Sequence, residues 1–140
     1  MRYVIIGVGV AGFAAIEAIR SVDGAGEIVM ISDDPHGYYS RPGLAYYLSG
    51  ELHDKALYPR TQDDYKKLNF KYLKGRVTRI LHSEHALELD GKSQLTYDKL
   101  LIAVGARAVP LDAPGASLGG VVKLDHLTDA QNILKLAKRG

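Results

Sequence analysis

The sequence predicts an α/β fold: a parallel sheet with helices and an inserted antiparallel β-meander. Three observations lead to it. Apolar strand-like runs end in glycine, an amphipathic segment separates the first two runs, and an Asp-Gly pair has alternating apolar residues on both sides. Such runs are typical of strands in a parallel sheet, and the Asp-Gly pattern indicates a hairpin. With 140 residues, the chain is long enough for one domain with a real core.

The first three predicted elements form a βαβ unit over residues 2–32. Residues 2–7, RYVIIG, are apolar and rich in β-branched side chains, as in a buried strand. The amphipathic helix VAGFAAIEAIRSV follows. Its small-residue face comprises Ala11, Ala14, Ala15, Ala18 and Ile19. The glycines of DGAGE predict a left-handed cap at its end, and residues 27–32, EIVMIS, predict the second strand.

The later elements include a second helix, the meander and a third buried strand. The run DDYKKLN predicts the end of that helix, and residues 70–73 and 76–82 predict two strands. Alternating apolar residues around Asp90-Gly91-Lys92 extend the second of these into a meander over residues 76–97. Residues 99–105, KLLIAVG, predict another buried parallel strand, and a loop rich in Pro and Gly follows it.

A final helix is predicted in the stretch LTDAQNILKLAKRG. Thr128 is its expected N-cap, because a side-chain hydroxyl can accept a hydrogen bond from the first helical turn. Ile133, Leu134 and Leu136 supply its apolar residues. The sequence contains no internal repeat, so a repeat architecture is not expected.

Composition excludes several classes of function. The net charge of +2 gives no basic field for nucleic acid. The absence of cysteine excludes a disulfide framework, a thiolate metal site and a cysteine nucleophile within this sequence. No apolar run approaches the roughly 18 residues needed to span a membrane, and no signal peptide is apparent. We therefore expect a cytoplasmic protein.

The titratable residues predict no metal site and no catalytic acid or base. The five histidines lack metal-ligand spacing and are expected to be structural or surface residues. They are His36, His53, His82, His85 and His126. Asp63 and Asp64 are expected on a solvated helix face.

Gly7, Gly9 and Gly12 form the pattern G-x-G-x-x-G between the first strand and the first helix. This context distinguishes a dinucleotide-binding motif from a chance glycine string. The first glycine permits a tight turn, the second lets a pyrophosphate approach the backbone, and the third lets helix and strand pack closely. Because the helix N-terminus offers free N–H groups and no P-loop lysine follows, we expect a dinucleotide rather than a triphosphate.

An acid at the end of the second strand completes this motif by binding a ribose hydroxyl, about 20 residues after the last glycine. Asp33 has this position relative to Gly12, and Asp34 is the neighbouring alternative. A strand–turn–helix with two acids in an exposed loop is the structural alternative. We therefore predict a Rossmann-like FAD/NAD(P)-binding fold.

Four stretches carry a resemblance to a known family: VIIGVGVAG, YYSRPGLAYYLSG, RVTRI and YDKLLIAVGARAVPL. Together they resemble the FAD-binding domain of the pyridine nucleotide-disulfide oxidoreductase superfamily, across essentially the whole chain. In that family the third strand usually ends in Ala-Thr-Gly. Here it reads Ala103-Val104-Gly105, so a threonine hydroxyl is lost. A buried strand that ends in a glycine turn is the alternative for this motif alone.

The resemblance implies FAD as the cofactor, with NAD(P)H as co-substrate, and it implies which residues bind FAD. The pyrophosphate loop corresponds to Gly7, Gly9, Val10, Ala11 and Gly12. The ribose acid corresponds to Asp33, with Ser32 beside it, and the backbone of Val77 is expected to meet the adenine ring. The second glycine motif corresponds to Ala103, Val104 and Gly105, and Arg107 follows where the family often has an arginine.

The segment YYSRPGLAYYLSGEL, residues 38–52, distinguishes branches of this superfamily. Many relatives carry redox-active cysteines beside the flavin, and this chain has none. The segment resembles the Tyr-Ser-Arg-Pro region of the rubredoxin, ferredoxin and nitrite reductase branch. There Arg41 is implied to lie along the cofactor, with a plain solvent-facing arginine as the alternative.

Within the same segment, Pro42 is expected to set the first turn of a helix. Tyr39 is a candidate for packing near the flavin. Tyr46 and Tyr47 are expected to serve core or surface packing rather than cofactor binding.

The resemblance implies the N-terminal FAD-binding part of an NAD(P)H-dependent flavoprotein oxidoreductase. Hydride would pass from NAD(P)H to FAD, and electrons on to a partner of rubredoxin or ferredoxin type. Since only one dinucleotide motif is present, residues 1–140 are expected to be one FAD-binding domain of a larger enzyme, inactive and weak in FAD binding alone. An NADH oxidase or nitrite reductase large-subunit-like flavoprotein, and a non-catalytic nucleotide-binding module, are the alternatives.

Overall fold

The computed structural model describes residues 1–91 and 93–138. In chain order, the strands are β1 (Arg2–Ile6), β2 (Glu27–Ser32), β3 (Lys71–Lys74), β4 (Val77–Leu81), β5 (Ala86–Leu89), β6 (Ser93–Thr96) and β7 (Lys99–Ile102). The helices are α1 (Val10–Val22), α2 (Leu44–Ser49), α3 (Gln62–Leu68) and α4 (Leu127–Ala137). None of the helices in the described ranges is long and apolar enough to cross a membrane.

These elements form two compact units. The first comprises Met1–Tyr38 and Arg60–Gly105, and the second comprises Tyr39–Pro59 and the described residues from Ala106 on. The first unit holds every strand and the helices α1 and α3. The predicted single FAD-binding domain over residues 1–140 stays a prediction.

The first unit contains a four-stranded parallel sheet in the order β3-β2-β1-β7 and an antiparallel sheet in the order β4-β5-β6. This confirms the predicted α/β fold with an inserted meander. The predicted strands at residues 70–73 and 76–82 are β3 and β4, with slightly different ends. In the β5–β6 hairpin, Asp90 and Gly91 have φ of +50° and +68°, as a tight hairpin turn requires. Lys92 of that turn lies outside the described residues.

The parallel sheet is the middle layer of the first unit. Its side chains alternate between two faces, and each face packs against a different part of the chain. On one face, sheet residues pack against the meander; this cluster comprises Val4, Ile6, Val29, Ile31, Leu87, Leu89 and Tyr97. On the other face they pack against α1; this cluster comprises Ile5, Val8, Phe13, Ile16, Ile28 and Met30. Both faces of β1 and β2 are therefore buried, as their continuous apolar sequence predicts.

Helix α1 has the predicted extent, but of the predicted small-residue face only Ala15 and Ile19 pack against the core, where they are partly buried. Gly12, Phe13 and Ile16 are buried, whereas Ala11, Ala14 and Ala18 are exposed. The large side chains determine the packing, because Phe13 contacts the rings of an aromatic cluster on the same side of the sheet. That cluster comprises Tyr38, Tyr65 and Phe70.

The predicted left-handed cap of α1 is wrong. The C-cap residue Asp23 is extended, with φ of −138°. Its carboxylate accepts hydrogen bonds from the N–H groups of Ala25 and Gly26, at 3.0 and 2.7 Å. The Asp23 side chain thus organises the turn. Position 26 requires glycine for steric reasons instead, because a Cβ there would lie 2.7 Å from Cε2 of Tyr3.

Strand β7 is parallel to β1 as predicted, but the expectation that it is buried is wrong. Leu101 is 39% exposed and Ile102 is 57% exposed. In the described sheet β7 is an edge strand with one neighbour. Only Leu100 packs against the core on the meander side.

The second unit has a core of its own. Its buried residues are Tyr39, Leu44, Leu57, Leu127 and Ala130. Tyr39 precedes α2, and the others come from α2, a 3₁₀ turn at Asp54–Leu57 and α4. The hydroxyl of Tyr39 accepts a hydrogen bond from the N–H of Leu127, at 3.0 Å. This contact satisfies a backbone donor in the first turn of α4.

Thr128 is not the N-cap of α4, so that prediction is wrong. The N-cap is His126. The carboxylate of Asp129 folds back and accepts a hydrogen bond from the N–H of His126, at 3.1 Å, which begins the helix earlier. Arg139 and Gly140, at the end of the predicted helix, lie outside the described residues.

Candidate functional site

The glycine loop, residues 7–12, connects β1 to α1 in the first unit. Gly7 has φ of +113°, a conformation that side chains disfavour. A Cβ there would overlap the carbonyl oxygen of Ala103 and lie 2.7 Å from its carbonyl carbon. The N–H of Gly7 donates to the carbonyl of Ile31, at 2.8 Å. The turn therefore requires glycine at this position.

Gly12 and Gly9 differ in what surrounds them. A Cβ on Gly12 would lie 2.5 Å from the carbonyl oxygen of Gly7 and 3.0 Å from Cε of Met30, so close packing of α1 on the sheet requires glycine there. A Cβ on Gly9 would meet nothing within 4 Å. The described residues thus leave open space at the one glycine whose expected role is to admit a ligand.

The N-terminus of α1 begins at this open position. Gly9 is the N-cap residue, and because it is glycine no side chain caps the first N–H groups of the helix. The first turn holds no acidic side chain, and Val10 is 73% exposed. An accessible helix N-terminus of this kind can donate backbone hydrogen bonds to a phosphate and favours negative charge.

The second glycine motif lies against the first. The N–H of Ala103 donates to the carbonyl of Ile6, at 2.8 Å, which continues the β1–β7 pairing. Gly105 has φ of +70°, and Val104 is 61% exposed. Ligands of open α/β sheets bind at the carboxyl ends of the strands, and both glycine motifs occupy that edge.

The end of β2 presents one acidic side chain rather than two. The Asp34 N–H donates to the Ser32 hydroxyl at 3.1 Å, and the Asp34 carboxylate accepts from the His36 N–H at 2.9 Å. Asp34 is therefore engaged in its own turn. The Asp33 side chain is 60% exposed, which makes it the more accessible acid for a ribose hydroxyl.

Arg76 is a neighbour of Asp33 that sequence reasoning missed. Its Nε lies 3.9 Å from Oδ2 of Asp33. The N–H of Gly75 donates to the carbonyl of Ser32, at 3.0 Å, which brings the corner between β3 and β4 to the end of β2. Val77 follows at the start of β4 and packs against the core on the meander side. Arg76 precedes Val77 in the motif RVTRI, but no periodic pattern marks its position.

Three predicted cofactor residues belong to the second unit: Arg41, Pro42 and Arg107. Their contacts with a cofactor stay predictions, and so does the packing of Tyr39 near a flavin. Pro42 lies in the turn closed by the N–H of Leu44 and the carbonyl of Arg41, at 3.1 Å. It therefore precedes α2, which begins at Leu44, and does not lie within its first turn.

Among residues 1–91 and 93–138, no three His, Asp or Glu side chains form a group that could hold a metal ion.

Tyr46 is 57% exposed, and Tyr47 packs against the core of the second unit. Tyr47 therefore takes part in core packing, as predicted, and the role of Tyr46 stays a prediction.

Known proteins of one family resemble the whole described chain. A profile of the family described as pyridine nucleotide-disulphide oxidoreductase matches residues 1–139. The chain is 36% identical over 132 residues to the ferredoxin reductase component of chlorobenzene dioxygenase from Cupriavidus sp., covering 94% of this chain and 32% of that protein.

Two solved structures show the same similarity. An NAD-dependent persulfide reductase from A. fulgidus matches with a TM-score of 0.89 and 32% identity, over 100% of this chain and 28% of that one. An NADH:rubredoxin oxidoreductase from Clostridium acetobutylicum matches with a TM-score of 0.86 and 26% identity, over 99% and 36%. The chain thus spans 28–36% of the length of these three relatives.

Proposed function

The chain belongs to the pyridine nucleotide-disulphide oxidoreductase family, and we propose that it forms the N-terminal FAD-binding part of an NAD(P)H-dependent flavoprotein oxidoreductase. Members of this family bind FAD and use NAD(P)H. One observation carries the proposal for this chain: the glycine loop is open at Gly9, where no described residue lies within 4 Å of a Cβ. A ligand that approaches the backbone is the physical reason for glycine at that position.

In this proposal each part of the site has a separate task. The N–H groups at the start of α1, including those of Val10 and Ala11, bind the pyrophosphate. The carboxylate of Asp33 accepts a ribose hydroxyl, and the backbone of Val77 meets the adenine. The second glycine motif, residues 103–105, contacts the dinucleotide beside the first motif.

The remaining proposed contacts come from Arg41, Pro42 and Arg107, with the Arg41 guanidinium paired to the pyrophosphate or the polar edge of the flavin. When bound, FAD supplies the hydride and electron chemistry. The protein binds and orients it, and no residue of this chain is assigned as a general acid or base.

We further propose that the electrons pass to a small redox protein of ferredoxin or rubredoxin type. Two relatives support this by their descriptions, one as the ferredoxin reductase component of a dioxygenase and one as an NADH:rubredoxin oxidoreductase. An NADH oxidase or nitrite reductase large-subunit-like flavoprotein would share the FAD site and differ in its acceptor. We also propose that the protein acts in the cytoplasm.

Calorimetric titration of the chain with ADP, FAD and NAD tests the proposed site. We expect ADP to bind and FAD to bind weakly, because the chain spans about a third of its relatives. Gly9→Ala should weaken ADP binding about tenfold or more, since a methyl group would occupy the space of the pyrophosphate.

Gly24→Ala is the matched control, because Gly24 also has open space and lies outside the glycine loop. It should leave ADP binding unchanged. Absence of ADP binding would contradict the proposed site, and stoichiometric flavin retained through gel filtration would contradict the expected weak FAD binding. Tight binding of NAD together with no measurable binding of FAD would favour a non-catalytic nucleotide-binding module.

A further inference from the structure

The sequence contains two aspartate–glycine pairs, Asp23-Gly24 and Asp90-Gly91, and the fold treats them differently. In such a pair the glycine nitrogen is unhindered and can attack the side-chain carboxyl carbon of the aspartate. A nitrogen–carbon bond forms, water leaves, and the product is a cyclic imide. Water then opens the ring. If it attacks the former backbone carbonyl, the bond from that carbon to nitrogen breaks, and the chain continues through the side chain as isoaspartate.

The first pair is held by its own side chain. Oδ1 of Asp23 accepts the N–H groups of Ala25 and Gly26, at 3.0 and 2.7 Å. Its Oδ2 accepts the hydroxyl of Tyr3, at 3.1 Å. The bond from Gly26, followed by those from Tyr3 and Ala25, lowers the pKa of Asp23, which keeps the carboxylate ionised and a poor target for a nucleophile. The carboxyl carbon therefore turns toward the nitrogen of Gly24 only after three hydrogen bonds break.

The second pair lies at the tip of the β5–β6 hairpin, where its side chain is held less firmly. Asp90 and Gly91 are both exposed, and their φ angles are +50° and +68°. Within the part of the chain that the structure describes, the Asp90 carboxylate accepts one hydrogen bond, from the N–H of Arg76 at 3.2 Å. An exposed tip with few contacts opens locally at a small cost in free energy. The reaction at Asp90 therefore meets less resistance than the reaction at Asp23.

Isomerisation at Asp90 acts on the corner between β3 and β4. The backbone of Arg76 is bonded to Asp90 in both directions, since its N–H donates to the carboxylate and its carbonyl accepts the Asp90 N–H, at 2.8 Å. Isoaspartate inserts a methylene group into the backbone and displaces both partners. Val77, which follows Arg76 and pairs with Leu89, then loses the support of this turn. The backbone of Val77 is the proposed contact for the adenine.

We propose that Asp90 is a site of spontaneous isoaspartate formation, that the fold protects Asp23 from the same reaction, and that isomerisation at Asp90 weakens adenine binding at Val77. The modification needs no enzyme and no reagent other than solvent water. Its consequence for the adenine rests on the proposed function, whereas the chemistry of the hairpin tip does not. The chain thus carries a time-dependent change beside its nucleotide site.

Peptide mapping after ageing in water labelled with a heavy oxygen isotope tests the modification, because each passage through the imide adds labelled oxygen. Trypsin releases Asp90 in the peptide of residues 80–92 and Asp23 in that of residues 21–55. In the folded chain, isoaspartate at Asp90 should exceed that at Asp23 by about tenfold or more, since fewer hydrogen bonds oppose it.

The matched control is the same chain aged in urea, which removes both turns. There the two sites should react at similar rates, because both have glycine as the next residue. If the ratio is the same in the folded and the denatured chain, or if the folded chain forms no isoaspartate at Asp90, the inference is wrong.

Calorimetry with ADP on fresh and aged chain measures the consequence for the nucleotide site. The fraction of chains that bind ADP should fall as the isoaspartate fraction at Asp90 rises. Asp90→Glu should keep its ADP binding on ageing, because the larger ring that glutamate would form closes far more slowly. If Asp90 isomerises and ADP binding is fully retained, the link to Val77 is wrong. If the fresh chain binds no ADP, the proposed function is wrong, and the peptide mapping still decides the modification.

Discussion

Gly7 contacts Ala103 backbone to backbone, and this contact joins the two glycine motifs of the first unit. A side chain at Gly7 would overlap the Ala103 carbonyl oxygen, while the Gly7 N–H is hydrogen-bonded to Ile31. The turn after β1 is therefore enclosed by the ends of β2 and β7. The edge of the sheet where both glycine motifs lie therefore depends on a contact that only glycine permits.

Gly7→Ala should strongly destabilise the protein. The substitution combines a positive φ with steric overlap against backbone that has no flexible end to move, so we expect a loss of about 2–5 kcal/mol in the free energy of unfolding. Urea denaturation followed by circular dichroism measures it. Gly24→Ala, in open space without a positive φ, should change the stability by less than about 0.5 kcal/mol. Equal stability of the two variants would contradict the contact.

Arg20→Lys should destabilise the first unit although it keeps the charge. The Arg20 guanidinium donates to the carbonyls of Leu68 at 2.9 Å, Asp23 at 3.0 Å and Gly26 at 2.8 Å. A lysine ammonium cannot reproduce this fork, so we expect a loss of about 1–3 kcal/mol. Urea denaturation gives the value, with Arg79→Lys as an exposed control. A lysine variant as stable as wild type would show that the fork contributes nothing.

Tyr39→Phe should destabilise the second unit, because it removes the hydroxyl that accepts the hydrogen bond from the Leu127 N–H. Tyr39 is 5% exposed, and Leu127, whose N–H it accepts, is 2% exposed. Removing the hydroxyl leaves a buried donor unsatisfied, which costs about 1–3 kcal/mol. Tyr46→Phe, at a 57% exposed position, should be nearly neutral. Thermal denaturation of both variants decides the point, and a neutral Tyr39→Phe would refute this role for its hydroxyl.

Glu27 should make stability depend on pH in a defined acid window. Hydrogen bonds from Lys71 and Arg2, at 2.8 and 2.6 Å, lower the pKa of Glu27 from 4.5 to about 2. A lowered pKa means that the contribution is fully present above pH 4.5 and is lost as the pH falls toward 2. Glu27→Gln should therefore be less stable than wild type at pH 6, and the difference should shrink through this window.

Urea midpoints of wild type and Glu27→Gln between pH 2 and pH 6 measure that difference. The exposed Glu84 provides a control in Glu84→Gln, which should follow the wild-type curve. A stability difference between wild type and Glu27→Gln that stayed constant across the window would contradict the assigned pKa.

The parts of the fold that could be predicted are those with local signals. The extent of α1 follows from its apolar period between Gly9 and the turn at Asp23, and the environments of Gly7 and Gly12 match the turn and the close packing expected of the motif. The hairpin at Asp90-Gly91 follows from residues that tolerate positive φ.

The predictions that were wrong concern places where a partner distant in sequence, or a competing side chain, determines the local structure. Asp23 replaces a left-handed glycine cap because its side chain bonds to the following amides, and Asp129 moves the start of α4 away from Thr128. The exposure of Ile102 depends on the sheet order, which short apolar runs do not encode. Arg76 approaches Asp33 because β3 runs parallel to β2 and the corner after β3 lies at the end of β2, a relationship with no periodic signature.

The position of β1 at the centre of its sheet has a consequence for how the chain folds during synthesis. Tyr3 pairs with Ile28, but its other partner is Lys99, and Arg2 bonds to Asp98 across 96 positions of sequence. Closing so long a loop costs entropy before the pairing repays it. A nascent chain that has not yet reached β7 therefore carries one open edge on its most apolar strand, which is the state a chaperone would meet.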